Sequence, residues 1–140
     1  MTDLDKPMVR IAKIFDKNEP PEVSEGALKK YLGYLKKNLE LPCNLTGIED
    51  FEWEEFYIIG PGSKKEHEEL RKTQASYLDT FELVGFEGEI DEEYGIFVNV
   101  RRLSDKKDFL LPLADLKAMG KKSKNYQLLD DYSVWFVNFR

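Results

Sequence analysis

The apolar residues between positions 24 and 42 recur at the three- and four-residue spacing of an amphipathic α-helix. Lysines occupy the opposite side of this pattern, as expected for a face in contact with water. Ser24 is a residue type that caps the start of a helix, and Pro42 is one that a helix does not pass. The segment therefore predicts one helix, whose buried face carries Leu28, Tyr31, Leu32, Leu35 and Leu39.

The chain before this helix has a shorter apolar patch that consists of Val9, Ile11, Ile14 and Phe15. Residues 18–21 read Asn-Glu-Pro-Pro, and these breakers should end any local helix. We therefore treat residues 1–22 as an N-terminal arm. The arm belongs to a single domain over residues 1–140, a length that suits one hydrophobic core.

The hydrophobic pattern changes after Pro42. Phe51 and Trp53 alternate with glutamates and residues 56–59 form an apolar run, which together predict a strand with a bulge at its paired glutamates. Residues 60–62 read Gly-Pro-Gly and predict a turn. A capping-box spacing begins at Ser63, so we expect a second, more polar helix from there to about Ala75.

The C-terminal half has the composition of a compact β unit. Its β-branched and aromatic residues predict strands at 81–86, 95–103, 109–113 and 132–139. The complete pattern predicts an α+β fold. Two helices from the N-terminal half would pack on a small, strongly bent antiparallel sheet or on a partly open SH3-like barrel.

The charge balance argues against several classes of function. The chain has 27 acidic and 21 basic residues and a formal net charge of −6, so its field repels nucleic acids and attracts cations. The single cysteine cannot form an internal disulfide, and the N-terminus lacks the apolar run of a secretion signal. No apolar stretch is long enough to span a membrane. These features predict a cytoplasmic protein.

The densest group of acids lies between two predicted strands, in residues 87–95 (EGEIDEEYG). Like charges at this spacing repel one another and destabilise the turn unless a cation neutralises them. Calcium accepts roughly six to eight oxygen ligands in irregular geometry, so the turn predicts a calcium site, although not of the EF-hand type. The alternative is a solvated acidic turn. The candidate ligands here are Glu89, Asp91, Glu92 and Glu93.

Other acidic groups could complete such a site or serve only the structure. The acids of residues 49–55 alternate with aromatic residues and fit the polar face of a strand. Residues 105–108 (DKKD) fit a hairpin turn, and Asp115 could cap a short helical turn that follows it. Asp130 and Asp131 precede the last predicted strand and fit a turn.

The sequence offers little for catalysis. His67 is the only histidine, and we expect it to be solvated because it lies among glutamates on the polar helix. Cys43 is expected to be a small buried side chain rather than a reactive thiol. No nucleophile, phosphate-loop or zinc-ligand motif is present, so we do not expect an enzyme. Trp53 and Trp135 are expected in the core.

Three segments resemble, in order, the CcbP-type bacterial calcium-binding proteins: residues 81–102 (FELVGFEGEIDEEYGIFVNVRR), 110–119 (LLPLADLKAM) and 125–138 (NYQLLDDYSVWFVN). The resemblance implies a monomeric, acidic, cytosolic protein that binds calcium without an EF-hand. The polar helix from Ser63 departs from the short form of this family. Matched position by position, the resemblance implies a role for the acids Asp91, Glu92 and Glu93 of the turn, Asp115 of the PL-x-DL element, and Asp131 of the terminal motif.

The resulting hypothesis is a cytosolic calcium buffer or sensor. The alternative is a small barrel that binds a partner protein without metal, which an exposed patch around Trp53 or Trp135 would favour. Magnesium is expected to bind less well than calcium because it requires stricter geometry and loses water reluctantly.

Overall fold

The computed structural model describes residues 6–140, except for the side chains of residues 87–89. Residues 1–5 of the predicted N-terminal arm therefore lie outside the described residues. The helices are α1 (Lys6–Ile14), α2 (Glu25–Asn38), α3 (Glu55–Ile58), α4 (Lys64–Leu70) and α5 (Lys124–Asn138). The strands are β1 (Asn44–Gly47), β2 (Thr80–Asp91), β3 (Gly95–Arg102), β4 (Asp108–Pro112) and β5 (Leu116–Ala118), and short 3-10 turns occupy Glu52–Glu54 and Leu113–Asp115.

The strands form one antiparallel sheet in the order β4-β3-β2-β1-β5. The register of β2 against β3 shifts between Leu83 and Gly85 and again between Phe86 and Ile90. Such irregularities bend a strand and increase its twist. The sheet has β4 and β5 at its edges and does not close. The predicted α+β class with a bent antiparallel sheet is confirmed.

The α2 helix follows its hydrophobic pattern. The Ser24 Oγ atom accepts a hydrogen bond from the Ala27 backbone N–H at 3.1 Å, so the predicted cap is confirmed. Leu28, Tyr31 and Leu35 are fully buried, and the helix packs against β2. The apolar residues at helical spacing thus form one face of α2, and this face packs against the sheet.

The last element is a helix, so the prediction of a strand over residues 132–139 was wrong. The α5 helix starts after Ser123, whose Oγ atom accepts a hydrogen bond from the Tyr126 N–H at 3.1 Å. Tyr132, Trp135 and Phe136 are buried at helical spacing on one face. Aromatic residues favour strands by propensity, but burial against the core overrides that preference. The α1 helix, formed within the predicted arm, packs against α5.

The predicted bulged strand over residues 51–59 was also wrong, because a 3-10 turn and α3 occupy these positions. The turn directs Glu54 into the interior, where its carboxylate accepts hydrogen bonds from the backbone N–H groups of Phe51 and Tyr77.

The predicted cap of the second helix is confirmed, since the Ser63 Oγ atom accepts a hydrogen bond from the Glu66 N–H at 3.0 Å. The second predicted helix is α4, and it ends at Leu70 rather than at Ala75.

Gly95 is the point at which α5 contacts the start of β3. Its φ of +80° is a left-handed conformation that favours glycine, and a Cβ atom here would collide with the Tyr132 hydroxyl and the Phe136 ring. The Tyr132 hydroxyl accepts a hydrogen bond from the Ile96 N–H at 2.9 Å. The terminal helix therefore fixes the strand that leaves the acidic turn.

Candidate metal centre

The acidic turn between β2 and β3 is ordered by one of its own carboxylates. The Asp91 Oδ1 atom accepts hydrogen bonds from the Glu93 N–H at 2.6 Å and from the Tyr94 N–H at 3.1 Å. Asp91, Glu92 and Glu93 are all exposed. The side chain of Glu89, the fourth predicted ligand of the turn, lies outside the described residues. One Asp91 oxygen thus caps the turn locally.

Asp115 ends the 3-10 turn that precedes β5. Its backbone carbonyl accepts a hydrogen bond from the Ile48 N–H at 3.0 Å, which ties it to the loop after β1. Residues 116–118 form a strand paired with β1, so the suggestion that Asp115 caps a following helical turn was wrong. The antiparallel pairing of β1 and β5 instead brings Asp115 beside Glu49 and Glu52 of the loop.

The electrostatic environment of Asp115 is negative. Partial desolvation raises the pKa of its carboxyl group, and the charges of Glu52 and Glu49 raise it further. The side chain still reaches solvent, so the desolvation comes from the walls of the clefts on either side of it. A carboxylate whose ionisation is opposed by neighbouring negative charges lies in an environment that a cation stabilises.

Tyr94 lies where the field of the acidic turn meets the field around Asp115. The charge of Glu52 raises the pKa of the Tyr94 hydroxyl most strongly, and Glu93, Asp91 and Asp115 raise it further. The acids of the turn and Asp115 therefore belong to one negative region around Tyr94. Glu52, which the strand interpretation placed on a solvated face, belongs to the same region.

A cleft of about 330 Å³ lies between the loop after β1, Asp115 and α5. We call it the acidic cleft, and its acidic lining residues are Glu49, Asp50, Asp115 and Asp130. Ser133 also lines it, and its buried hydroxyl has no hydrogen-bond partner among the described residues. Buried polar atoms are normally paired, so a buried hydroxyl without a partner among the described residues is an exception in this cleft wall.

The donor chemistry of the acidic cleft fits calcium. Carboxylates and a hydroxyl are the hard oxygen ligands that calcium prefers. Within residues 6–140, leaving out side chains 87–89, no three His, Cys, Asp or Glu side chains already converge closely enough to hold a metal ion. Exposed side chains change rotamer on the picosecond to nanosecond timescale, so these acids can rotate inward around an ion.

Asp131 faces away from the acidic cleft. Its two carboxylate oxygens accept hydrogen bonds from Arg10 of α1, at 2.8 Å from Nε and at 2.9 Å from Nη2. The Asp131 side chain is 7% exposed, whereas its neighbour Asp130 is exposed and lines the cleft. Asp131 could bind a metal only if this ion pair opened.

Two residues were not predicted from the sequence: Asp130 as a lining residue of the acidic cleft, and Arg10 as the partner of Asp131. Asp130, Val134 and Val137 share one face of α5, at a helical spacing that the interpretation of residues 132–139 as a strand did not consider. A helical interpretation would have placed Asp130 and Asp131 on different faces. Arg10 is remote in sequence and carried no such signal.

The prediction of a solvated His67 was wrong. His67 is 6% exposed, and its Nε2 atom lies 2.9 Å from Oε1 of the buried Glu54. Its ring also contacts Trp53 and Tyr57. Cys43 is a free, buried side chain, as predicted. Neither residue lines the acidic cleft, whose described donors are all oxygens.

Comparison with known proteins identifies a family. The model of the CcbP family, described as calcium binding, matches residues 60–136 of this chain. The range includes the acidic turn, Asp115, Asp130 and the polar helix α4, and begins after Glu49 and Glu52. No curated protein matches the chain, and no solved structure does. Within the described residues, no helix is long and apolar enough to cross a membrane.

Proposed function

Because the chain belongs to the CcbP family of calcium-binding proteins, we propose that it is a calcium buffer or sensor that holds the ion at Asp115. The observation that supports this position is the raised pKa of the Asp115 carboxyl group, to which Glu52 and Glu49 contribute. A carboxylate that is unfavourable as a free anion gains most from a bound cation.

The proposed ligands come from three separate segments that meet at the acidic cleft. Glu49 lies in the loop after β1, Asp115 ends a 3-10 turn, and Asp130 lies on α5. Ser133 lines the same cleft, and its buried hydroxyl has no partner within the part of the chain that the structure describes. Calcium supplies two positive charges that remove the repulsion among these groups.

The predicted ligands of the acidic turn have a different part in this proposal. Asp91 and Glu93 act on Tyr94 together with Asp115, so they add to the field that attracts the ion. Glu89 and Glu92 belong to the same turn and would act in the same way. Asp131 is left out of the ligand set because Arg10 occupies both of its oxygens.

Binding at Asp115 would join the loop after β1 to α5. An ion that binds the folded state and not the unfolded chain stabilises the fold by mass action. A buffer would bind with little change outside the cleft. A sensor would shift the backbone amide resonances of α5 and of the loop as well, which distinguishes the two roles.

Isothermal titration with calcium tests the proposal. Asp115→Asn and Asp130→Asn should weaken binding by about tenfold or more, which corresponds to about 1.4 kcal/mol. Asp91→Asn should weaken it less, because this residue contributes through the field. The matched control is Asp108→Asn, whose carboxylate pairs with Arg101 on an exposed hairpin. No heat at millimolar calcium, or equal effects of Asp115→Asn and the control, would contradict the proposal.

A further inference from the structure

A second and larger cleft, of about 650 Å³, opens on the other side of Asp115. We call it the aromatic cleft. Its walls include Phe51, Trp53, Phe109 and Leu111, and the carboxylates of Glu52 and Asp115 also line it. Its size is that of a ligand-binding cleft, and such clefts combine mainly apolar walls with a few polar groups.

The aromatic walls are held in place by contacts of their own side chains with the rest of the fold. The Trp53 Nε1 atom donates a hydrogen bond to the Ala75 carbonyl at 2.6 Å, and the Arg102 guanidinium lies 5.0 Å from the centre of the Phe109 ring. Trp135 is fully buried elsewhere, so Trp53 is the tryptophan that offers a surface. A preformed aromatic wall loses little conformational freedom when it binds.

The charged side chains that line the aromatic cleft are all negative within the described residues. Glu52 and Asp115 are its charged lining residues, and no basic side chain belongs to its described lining. The raised pKa of the nearby Tyr94 hydroxyl reports the same negative field. The complementary ligand therefore has an apolar body and a cationic group.

We propose that the aromatic cleft docks a short segment of a partner polypeptide in which an arginine is flanked by apolar residues. The guanidinium group would lie toward Glu52 and Asp115, and the flanking side chains would pack against Trp53 and Leu111. Arginine suits this position because its planar cation both stacks on aromatic rings and pairs with carboxylates.

A polypeptide fits the cleft better than a free small molecule does. The cleft is open to solvent rather than enclosed, whereas pockets for small molecules bury most of the ligand surface. A side chain carried on a peptide brings its own backbone to cover the open side of the cleft.

Docking of the peptide does not itself require calcium. Since Asp115 lines both clefts, however, calcium at this residue would reduce the attraction for arginine, and the coupling is reciprocal.

The first test uses the pentapeptide Ala-Leu-Arg-Leu-Ala, acetylated and amidated, titrated into the calcium-free full chain by isothermal calorimetry and by amide NMR. The expected result is shifts of amide signals in residues 51–53, 94 and 109–111. Replacement of arginine by citrulline, which has the same shape without the charge, should weaken binding roughly fivefold. Equal affinity of the two peptides, or shifts that lie elsewhere, would overturn the proposal.

Paired variants separate the cleft from the rest of the surface. Glu52→Gln should weaken the arginine peptide roughly fivefold and leave the citrulline peptide unchanged, whereas Glu55→Gln, an exposed acid outside the cleft lining, should leave both unchanged. Leu111→Ser should weaken both peptides, and Leu110→Ser should weaken neither, because alternate residues of a strand face opposite sides. Equal effects within either pair would also overturn the proposal.

Failure of the calcium proposal would be distinguishable from failure of this one, because the peptide titration is done in chelator. In a second titration at saturating calcium, the peptide affinity should fall. Unchanged affinity at saturating calcium would show that the two ligands do not share Asp115 and would overturn the shared-residue part of the inference.

Discussion

The Oε1 atom of Glu54 lies 2.9 Å from Nε2 of His67, and the two side chains meet in the interior at 0% and 6% exposure. The carboxylate also accepts hydrogen bonds from the N–H groups of Phe51 and Tyr77 and from the Ser76 hydroxyl. One buried acid therefore links a 3-10 turn, α4 and the segment that enters β2. A buried charge persists only where it is fully paired in this way.

Replacement of Glu54 by alanine should lower the free energy of unfolding by about 3–5 kcal/mol, because four donors lose their common acceptor. Urea denaturation followed by tryptophan fluorescence measures the loss. Glu55→Ala is the control, since its side chain is exposed and should change stability by less than about 0.5 kcal/mol. A Glu54→Ala protein as stable as the control would contradict the assigned network.

Burial of Glu54 explains why the pattern in residues 51–59 predicts a strand where the structure has a 3-10 turn and α3. Alternation of aromatic residues with glutamates predicts a strand with its acids in water. Glu54 is instead fully buried, and three of its four partners, His67, Ser76 and Tyr77, come from later segments of the chain. A local sequence pattern does not indicate tertiary partners such as Tyr77.

Local signals succeeded where the determining interactions are local. The Ser24 and Ser63 caps and the hairpin near Asp105 depend on residues a few positions apart, and these predictions are confirmed. The negative region was predictable in part, because the acidic turn is contiguous in sequence. The approach of Glu52 and Asp115 depends on the pairing of β1 with β5, which joins segments far apart in sequence.

The ion pair between Arg10 and Asp131 should stabilise the fold without holding calcium. Asp131→Asn should lower the free energy of unfolding by about 1–3 kcal/mol, because it removes a charged, two-point hydrogen-bonded contact between α1 and α5. Asp130→Asn is its matched neighbour and should show the reverse: nearly unchanged stability and weaker calcium binding. Chemical denaturation and calcium titration of both variants check this. Calcium affinity lost in Asp131→Asn alone would restore Asp131 to the ligand set.

The Arg102–Asp105 pair should make stability depend on pH in the acid range. Hydrogen bonds from Arg102 lower the pKa of the Asp105 carboxyl group to about 2. A carboxyl group with a depressed folded-state pKa stabilises the fold at pH values above its unfolded pKa, about 3.9. This contribution is lost as the pH falls toward 2.

Urea denaturation of wild-type protein and Asp105→Asn between pH 6 and pH 3 tests this dependence. The stability difference between them should be largest at pH 6 and should shrink as the pH falls. Asp108→Asn, which alters the exposed pair of Asp108 with Arg101, is the matched surface control. A difference that is constant with pH would contradict the assigned ionisation of Asp105.

Asp115→Asn should stabilise the calcium-free protein at neutral pH while it weakens calcium binding. The folded-state pKa of Asp115 is raised by desolvation and by Glu52 and Glu49, so the ionised group is less favourable in the folded chain than in the unfolded chain. The stability that depends on this carboxyl group is therefore highest below its unfolded pKa and falls as the pH rises through its folded pKa. Asparagine removes that penalty at pH 7, and with it the charge that calcium would neutralise.

Thermal melts in chelator and in millimolar calcium distinguish the two effects. In chelator, Asp115→Asn should melt above the wild type. In calcium, the wild type should gain more in Tm than the variant does, and magnesium should produce a smaller gain than calcium. Asp108→Asn should show no rise in chelator, because it loses a favourable pair with Arg101 rather than an unfavourable charge. A variant that melts below the wild type in chelator would show that Asp115 serves the fold rather than the ion.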